Sequence, residues 1–250
     1  IYAVPGVPYE MREMMESFIL PDLVRRSGET GVIRSRTLRT WGDSESGLAE
    51  KLGDRIDQLD SIGNPTLAFL ASGIEGIKVR ITVKSVTEEA ASEILAAEEQ
   101  FLRNLLGDIV FGIDEETMET VVLERMRRQG MTLAVAESLT GGVMASRLSD
   151  IDRQLEVFRG ATITAGHDQG TGPERAIAAA RKAQADYSTD VGIAVVEAIA
   201  SDGQRRGTVY LGIVMGNTEF TELVALPGDR ARLRNYAVIG LMNYLRKLLS

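Results

Sequence analysis

The sequence predicts an α/β chain in two parts: a small α+β domain of βαββαβ order, then a three-layer α/β/α domain. Three observations carry this reading. Ile77, Val79, Ile81 and Val83 alternate with Lys78, Arg80, Thr82 and Lys84, the period of a strand in a sheet with one wet face. Thr208-Val209-Tyr210-Leu211-Gly212-Ile213-Val214 is instead a near-continuous apolar run, as a strand buried on both faces reads. From residue 114 onward, strand-like segments alternate with amphipathic helices, the pattern of a sheet with helices on both faces.

In chain order, Ile1 to Val4 is strand-like and breaks at Pro5-Gly6. A helix with Met11, Met14, Met15 and Phe18 on one side follows, and the pattern changes past Pro21. Val32 to Leu38 reads as a strand. Asp43-Ser44-Glu45 offers cap chemistry for a helix carrying Leu48, Leu52, Ile56 and Leu59, which Asn64-Pro65 breaks. Strands at 66–71 and 77–84, a helix from Thr87 to about Gly107 and a strand at 109–111 complete the split βαβ layout. The second part begins near Asp114, with a helix at 117–128 closed by Gly130. Next come a strand at 132–136, the turn Glu137-Ser138-Leu139 and a helix through Val143, Met144 and Leu148. Strands are expected at 161–164, 191–196, 208–215 and 219–225, and helices at 174–185 and 230–249. The expected domains are 23–112 and 113–250. Residues 1–22 are expected to be the tail of a preceding domain, because the chain opens at Ile1 with no signal-like segment and reads as a fragment of a longer cytoplasmic protein.

Composition excludes several chemistries. The 250 residues contain no cysteine and one histidine, His167, so disulfides, thiol nucleophiles and metal centres built on cysteine or paired histidines are not expected. With 28 basic against 36 acidic residues the net charge is -8, which argues against a nucleic-acid or anionic-membrane partner. No uninterrupted apolar stretch approaches the ~20 residues of a membrane span. Neither a metal nor a cofactor is expected.

One constellation carries chemistry. The strand at 132–136 delivers Glu137, Ser138, Thr140, Gly141 and Gly142 to the start of a helix. Such a corner presents backbone N–H groups and the positive helix end to an anion, and glycines allow close approach. Ser138 is the candidate nucleophile, and Glu137, Thr140, Gly141 and Gly142 are the candidate ligand-binding residues. The same residues also fit a purely structural role, in which a hydroxyl caps the helix and the glycines pack it on the sheet. The corner is neither a Gly-x-Ser-x-Gly elbow nor a Walker loop.

Thr132-Leu133-Ala134-Val135-Ala136-Glu137-Ser138-Leu139-Thr140-Gly141-Gly142 resembles the signature of the C-terminal domain of the CinA (competence/damage-inducible) family, a domain similar to nicotinamide mononucleotide deamidase. Four further segments resemble the family in order: Pro5 to Met11, the end of its molybdopterin-binding-like N-terminal domain; Gly76 to Thr82, its middle domain; Gly107 to Gly112, the approach to its C-terminal domain; and Gly207 to Gly212, a late strand. The resemblance implies hydrolysis of the nucleotide's carboxamide to acid and ammonia by a serine assisted by lysine and tyrosine. It also implies a homodimer. In an ungapped comparison from Ser138, however, the family's Pro-Gly-Ser-Ser run meets Asp152, Arg153, Gln154 and Leu155. Its tyrosine meets Ala165, its lysine meets Gly170, and its Thr-Gly-Ile-Ala-Gly-Pro loop meets Glu197 to Asp202. No lysine or tyrosine lies between Ile163 and Arg181; the nearest are Lys182 and Tyr187.

The expectation is therefore a CinA-type chain that keeps the fold and has lost the family chemistry, acting as a nucleotide-binding or structural module. Its ligand would be nicotinamide mononucleotide or another phosphate-bearing small molecule. Two alternatives stay open. One is a working nicotinamide-nucleotide amidohydrolase using Ser138 in pyridine nucleotide salvage. The other is an interaction protein linked to competence or DNA damage, dimerising through the middle domain and the helix at 230–249. His167 beside Asp168 reads as an exposed loop histidine. The arginines at 25, 26, 34, 36 and 39 read as a solvated or interface surface.

Overall fold

The computed structural model describes residues 1–28, 31–71, 73–164, 172–199 and 202–249. Two compact units divide the chain: Ile1–Arg36, Leu52–Ala68 and Arg80–Leu105 form one, and Thr37–Lys51, Phe69–Val79 and Leu106–Ser250 the other. The chain begins with α1 (Pro8–Met14), a π-helical turn (Met15–Ile19) and α2 (Leu20–Ser27). Helix thus continues past Pro21, where the sequence pattern changes. Pro21 falls in the first turn of α2, directly after the π-helical turn, where the hydrogen-bond ladder already departs from the i→i−4 pattern that proline breaks. Gly28, left-handed at φ 64, ends the helix.

The expected βαββαβ order is present: β1 (Val32–Thr40), α3 (Glu45–Ile62), β2 (Thr66–Ala71), β3 (Ile77–Ser85), α4 (Glu88–Leu106) and β4 (Val110–Ile113). These strands form a sheet of order β2-β3-β1-β4. In β3, Val79, Ile81 and Val83 are fully buried. Helix α3 is tied to α4 where Arg55 grips the buried Glu98 carboxylate with two guanidinium nitrogens and lies over the Phe101 ring, 4.6 Å from its centroid.

The remaining elements are α5 (Met118–Arg128), β5 (Leu133–Glu137), α6 (Val143–Ile151), β6 (Phe158–Ile163), α7 (Gly172–Tyr187), β7 (Val191–Glu197), β8 (Thr208–Met215), β9 (Thr218–Ala225) and α8 (Arg230–Leu248). The second sheet has the order β6-β5-β7-β8-β9. Strand β5 runs parallel to both neighbours, whereas β8 and β9 are antiparallel additions. Side chains of α5, α6 and α8 pack with Val135, Ile193, Leu211 and Ile213 on one face. On the other face α7 packs Ala180 against Ala194 and Val214, completing three layers. Both faces of β7 and β8 are covered, as the apolar run predicts.

Helix α8 packs on one face of the second sheet. Its Leu233, Val238, Ile239, Leu241, Met242 and Leu245 all lie in the chain's own core, none more than 5% exposed. No helix among the described residues is long and apolar enough to cross a membrane.

Candidate functional site

The strand order reverses at β5. The chain leaves β5 through α6 to β6 on one side, then crosses through α7 to β7 on the other. Crevices outside the carboxyl ends of strands at such a reversal are where open α/β sheets bind ligands, and the carboxyl end of β5 is Glu137.

The corner itself differs from the expectation of open amides. Glu137 is 1% exposed, and its carboxylate accepts from Gly142 N at 2.9 Å, Met144 N at 3.2 Å and Ala145 N at 2.8 Å. The N-cap residue of α6 is Gly142, which has no side chain to cap with. Glu137 does that work from the end of the preceding strand, placing its charge at the positive end of the helix. Those three amides are therefore not open to an incoming anion. Gly141 and Gly142 adopt φ of 60 and 95, a left-handed pair that turns the chain sharply enough for α6 to present its amides to Glu137.

Ser138 sits half-buried beyond the strand, its hydroxyl donating to the Val195 carbonyl at 3.2 Å. Among the described residues no lysine, tyrosine or histidine hydrogen-bonds it. Lys182 pairs with Asp186 at 2.6 Å, and the Tyr187 hydroxyl donates to the Ala161 carbonyl at 2.8 Å. His167 and Asp168, with Ala165 and Gly170, lie outside the described residues. Asp152, where the family's hydroxyl run would begin, is 2% exposed and accepts from Val157 N and Phe158 N at 2.8 Å each. It builds the turn between α6 and β6.

That turn has a pH signature. Burial pushes the Asp152 carboxyl up, but the amides of Phe158, Val157 and Glu156 and the Arg127 guanidinium outweigh it and hold the group below its ordinary value. A carboxyl depressed in the folded state stabilises above its unfolded pKa, about 3.9, and that contribution is lost as pH falls through the lower folded value. Asp152→Asn is expected to cost about 1–3 kcal/mol at pH 7 and to narrow the difference between pH 7 and pH 3. Thermal melts at both values check it.

Two groups at the corner have polar atoms without partners. Thr140 is fully buried, and its Oγ1 has no hydrogen bond. Arg234, on the second turn of α8, lays its guanidinium over Gly141: a Cβ built there would lie 3.5 Å from Nη2. Its Nε is buried and unbonded. One helical turn before it, Arg230 pairs with Glu197 at the end of β7 at 3.5 Å. Arg175, 1% exposed, holds Asp202 at 2.7 Å and donates to the Glu197 carbonyl at 3.4 Å. Thr140, Gly141 and Gly142 thus lie together at the corner, with Arg234 beside Gly141. A signal for Arg234 exists in the sequence: Arg230, Arg232 and Arg234 crowd the start of a helix, where cations oppose the dipole and need another reason to be there.

Two family models match the chain: the damage-inducible protein CinA KH domain over residues 35–112 and the CinA C-terminal domain over residues 115–169. A CinA-like protein of Frankia casuarinae is 36% identical over an alignment covering 100% of this chain and 62% of that protein. A CinA-like protein of Dictyoglomus thermophilum is 29% identical, covering 98% and 63%. The chain thus spans about three-fifths of the length of these relatives. It is also similar to the crystal structure of a competence or damage-inducible protein from Enterobacter asburiae, 18% identical with a TM-score of 0.49, over 53% of this chain and 96% of that one.

Proposed function

Since the chain belongs to the CinA family of competence/damage-inducible proteins, we propose that its C-terminal domain is a small-molecule binding module that has kept the family's crevice and lost its amide hydrolysis. The observation that carries this reading is the pair of unpartnered buried atoms, Thr140 Oγ1 and Arg234 Nε, on residues beside Gly141 just past the carboxyl end of β5. Burying such atoms without partners is costly, and a ligand offering an anionic oxygen would satisfy them. With the helix amides given to Glu137, the guanidinium of Arg234 is left to hold the anionic group, in the geometry suited to phosphate or carboxylate. Nicotinamide mononucleotide or a similar phosphate-bearing molecule fits that chemistry.

Hydrolysis needs more than Ser138. Its proton must pass to a base as the oxygen attacks, and the Val195 carbonyl that accepts its hydrogen bond is not one. The two matched stretches fall on either side of residue 113, which supports domains at 23–112 and 113–250. The KH likeness raises nucleic acid as a ligand, since KH domains clamp nucleotides with a Gly-x-x-Gly loop. Here Gly73-Ile74-Glu75-Gly76 is the turn between β2 and β3. Glu75 pairs with Arg39 at 2.7 Å, and a Cβ on Gly76 would lie 2.1 Å from the Thr40 carbonyl. That tetrapeptide is packed as a turn, which argues against a clamp.

The test has two arms. Incubated with nicotinamide mononucleotide, the protein is expected to release no more ammonia than Ser138→Ala; serine-dependent release would establish the working amidohydrolase instead. In calorimetry the nucleotide is expected to bind, with Arg234→Gln weakening it about 10- to 100-fold. Absence of binding to the nucleotide and to inorganic phosphate alike would overturn the binding role.

A further inference from the structure

Two unlike side chains stand over the two glycines of the corner. The Arg234 guanidinium lies over Gly141, and Ile163 lies over Gly142, where a Cβ would come 3.1 Å from Ile163 Cδ1. Adjacent Cα atoms are about 3.8 Å apart, so both side chains are within reach of one small molecule. Ile163 ends β6 and pairs with Glu137 across the parallel ladder, and the next amide, Thr164 N, donates to the Glu137 carbonyl at 2.8 Å. The backbone under Ile163 is therefore held by the same strand that carries the corner.

A lone exposed apolar side chain is ordinary on a protein surface, but Ile163 stands apart by degree and by place. At 58% exposed it is the most exposed large apolar side chain among the described residues of the second sheet. Ala161, two residues earlier on the same face, packs against the core, so β6 leaves apolar surface uncovered where it reaches the corner. The amides of Gly142, Met144 and Ala145 are given to Glu137. The Ile163 side of the corner thus offers hydrocarbon where a site for a bare anion would offer donors. That combination, one cation and one apolar surface, suits an anion attached to an apolar body.

We propose that Ile163 sets the class of ligand taken at this corner: a phosphate- or carboxylate-bearing molecule with a flat ring, its anionic group on Arg234 and its ring against Ile163. This selectivity rests on the binding role proposed above, within which Ile163 separates ring-bearing from ringless anions. A ring laid on Ile163 removes apolar surface from water on both partners, and the strand backbone is already in place to receive it.

Nicotinamide mononucleotide and ribose 5-phosphate make a matched pair of probes, alike in sugar and phosphate and different in the ring. In calorimetry on the whole chain, the wild type is expected to bind the nucleotide about 5- to 20-fold more tightly than the sugar phosphate. Ile163→Thr keeps the β-branch suited to a strand. It is expected to lose most of that preference, while its affinity for the sugar phosphate stays within about twofold of the wild type. Ile163→Val, which removes only Cδ1, is expected to lose part of it. Arg234→Gln is expected to weaken both probes together. A wild type that binds the two probes equally, or an Ile163→Thr variant that keeps the full preference, would overturn the assignment of Ile163 and leave the binding role standing. Loss of both affinities in step in Ile163→Thr would place the residue in the framework and equally overturn the assignment. Binding of neither probe by the wild type would remove the binding role itself, and this selectivity with it.

Discussion

Glu137→Ala is expected to cost about 3–5 kcal/mol, a large share of the 5–15 kcal/mol that holds a typical domain folded. The carboxylate is 1% exposed and accepts three amides at 2.8–3.2 Å. Removing it takes the acceptor from all three, one of them fully buried and two partly, and each buried donor left unsatisfied costs about 1–3 kcal/mol. Glu137→Gln retains one acceptor oxygen and is expected to cost less, about 1–3 kcal/mol, through loss of charge at the helix end. Urea unfolding checks both, as a lowered midpoint at unchanged slope. Thr140→Val makes the contrast. Its hydroxyl is buried without a partner, so replacing it with a methyl is expected to be neutral or mildly stabilising in the absence of ligand, while weakening nucleotide binding. A variant that raises stability and lowers affinity together is the behaviour expected of a group kept for a ligand. A loss of stability comparable to that of Glu137→Ala would place Thr140 in the structural framework instead.

The strands and helices were legible because each pattern had one physical reading. The alternation in β3 and the unbroken apolar run of β8 report one-sided and two-sided burial, and both are observed. Strand order is not written locally, so the sequence marked 219–225 as a strand without revealing that it lies at the edge. The apolar crowding of α8 was equally ambiguous: a helix roofing a sheet and a helix shared between two chains need the same residues, and here the core takes them. At the corner, the residues were legible and their roles were not. Glu137 sits next to Ser138 in sequence, which reads as a pair of site residues. The left-handed turn at Gly141 and Gly142 instead sends the carboxylate back to the amides of α6. Arg234 reaches Gly141 only through the fold, and its sole sequence trace is a cation placed against a helix dipole.

The second large effect is expected at a glycine with an ordinary backbone. Gly192 lies in the central strand β7, outside the left-handed conformations that mark many glycines of the chain. A methyl group there would lie 2.0 Å from the Ala180 carbonyl oxygen of α7 and 2.8 Å from Gln184 Cβ. Gly212, on the neighbouring strand β8, stands in the same relation to Ala176, 2.5 Å from its carbonyl. Helix α7 therefore rests on backbone, with Ala176 and Ala180 fully buried against the sheet. Neither a strand flanked on both sides nor a helix carbonyl can rotate away as a side chain can, so Gly192→Ala must lift α7 bodily. Overpacking of a well-filled core costs about 1–3 kcal/mol where side chains can shift; with backbone as the obstacle, about 3 kcal/mol or more is expected. The displacement reaches the site, because α7 carries Arg175, which holds the Glu197 carbonyl and Asp202 beside the crevice. Gly53→Ala supplies the opposite sign. That glycine lies within α3 with nothing inside 4 Å of the new methyl, and helix propensity alone predicts a gain of about 0.5–1 kcal/mol. Equal effects of the two substitutions in denaturant unfolding would refute close backbone contact between α7 and the sheet. Opposite signs, with the nucleotide affinity falling only for Gly192→Ala, would show that the spacing of this helix sets the shape of the crevice.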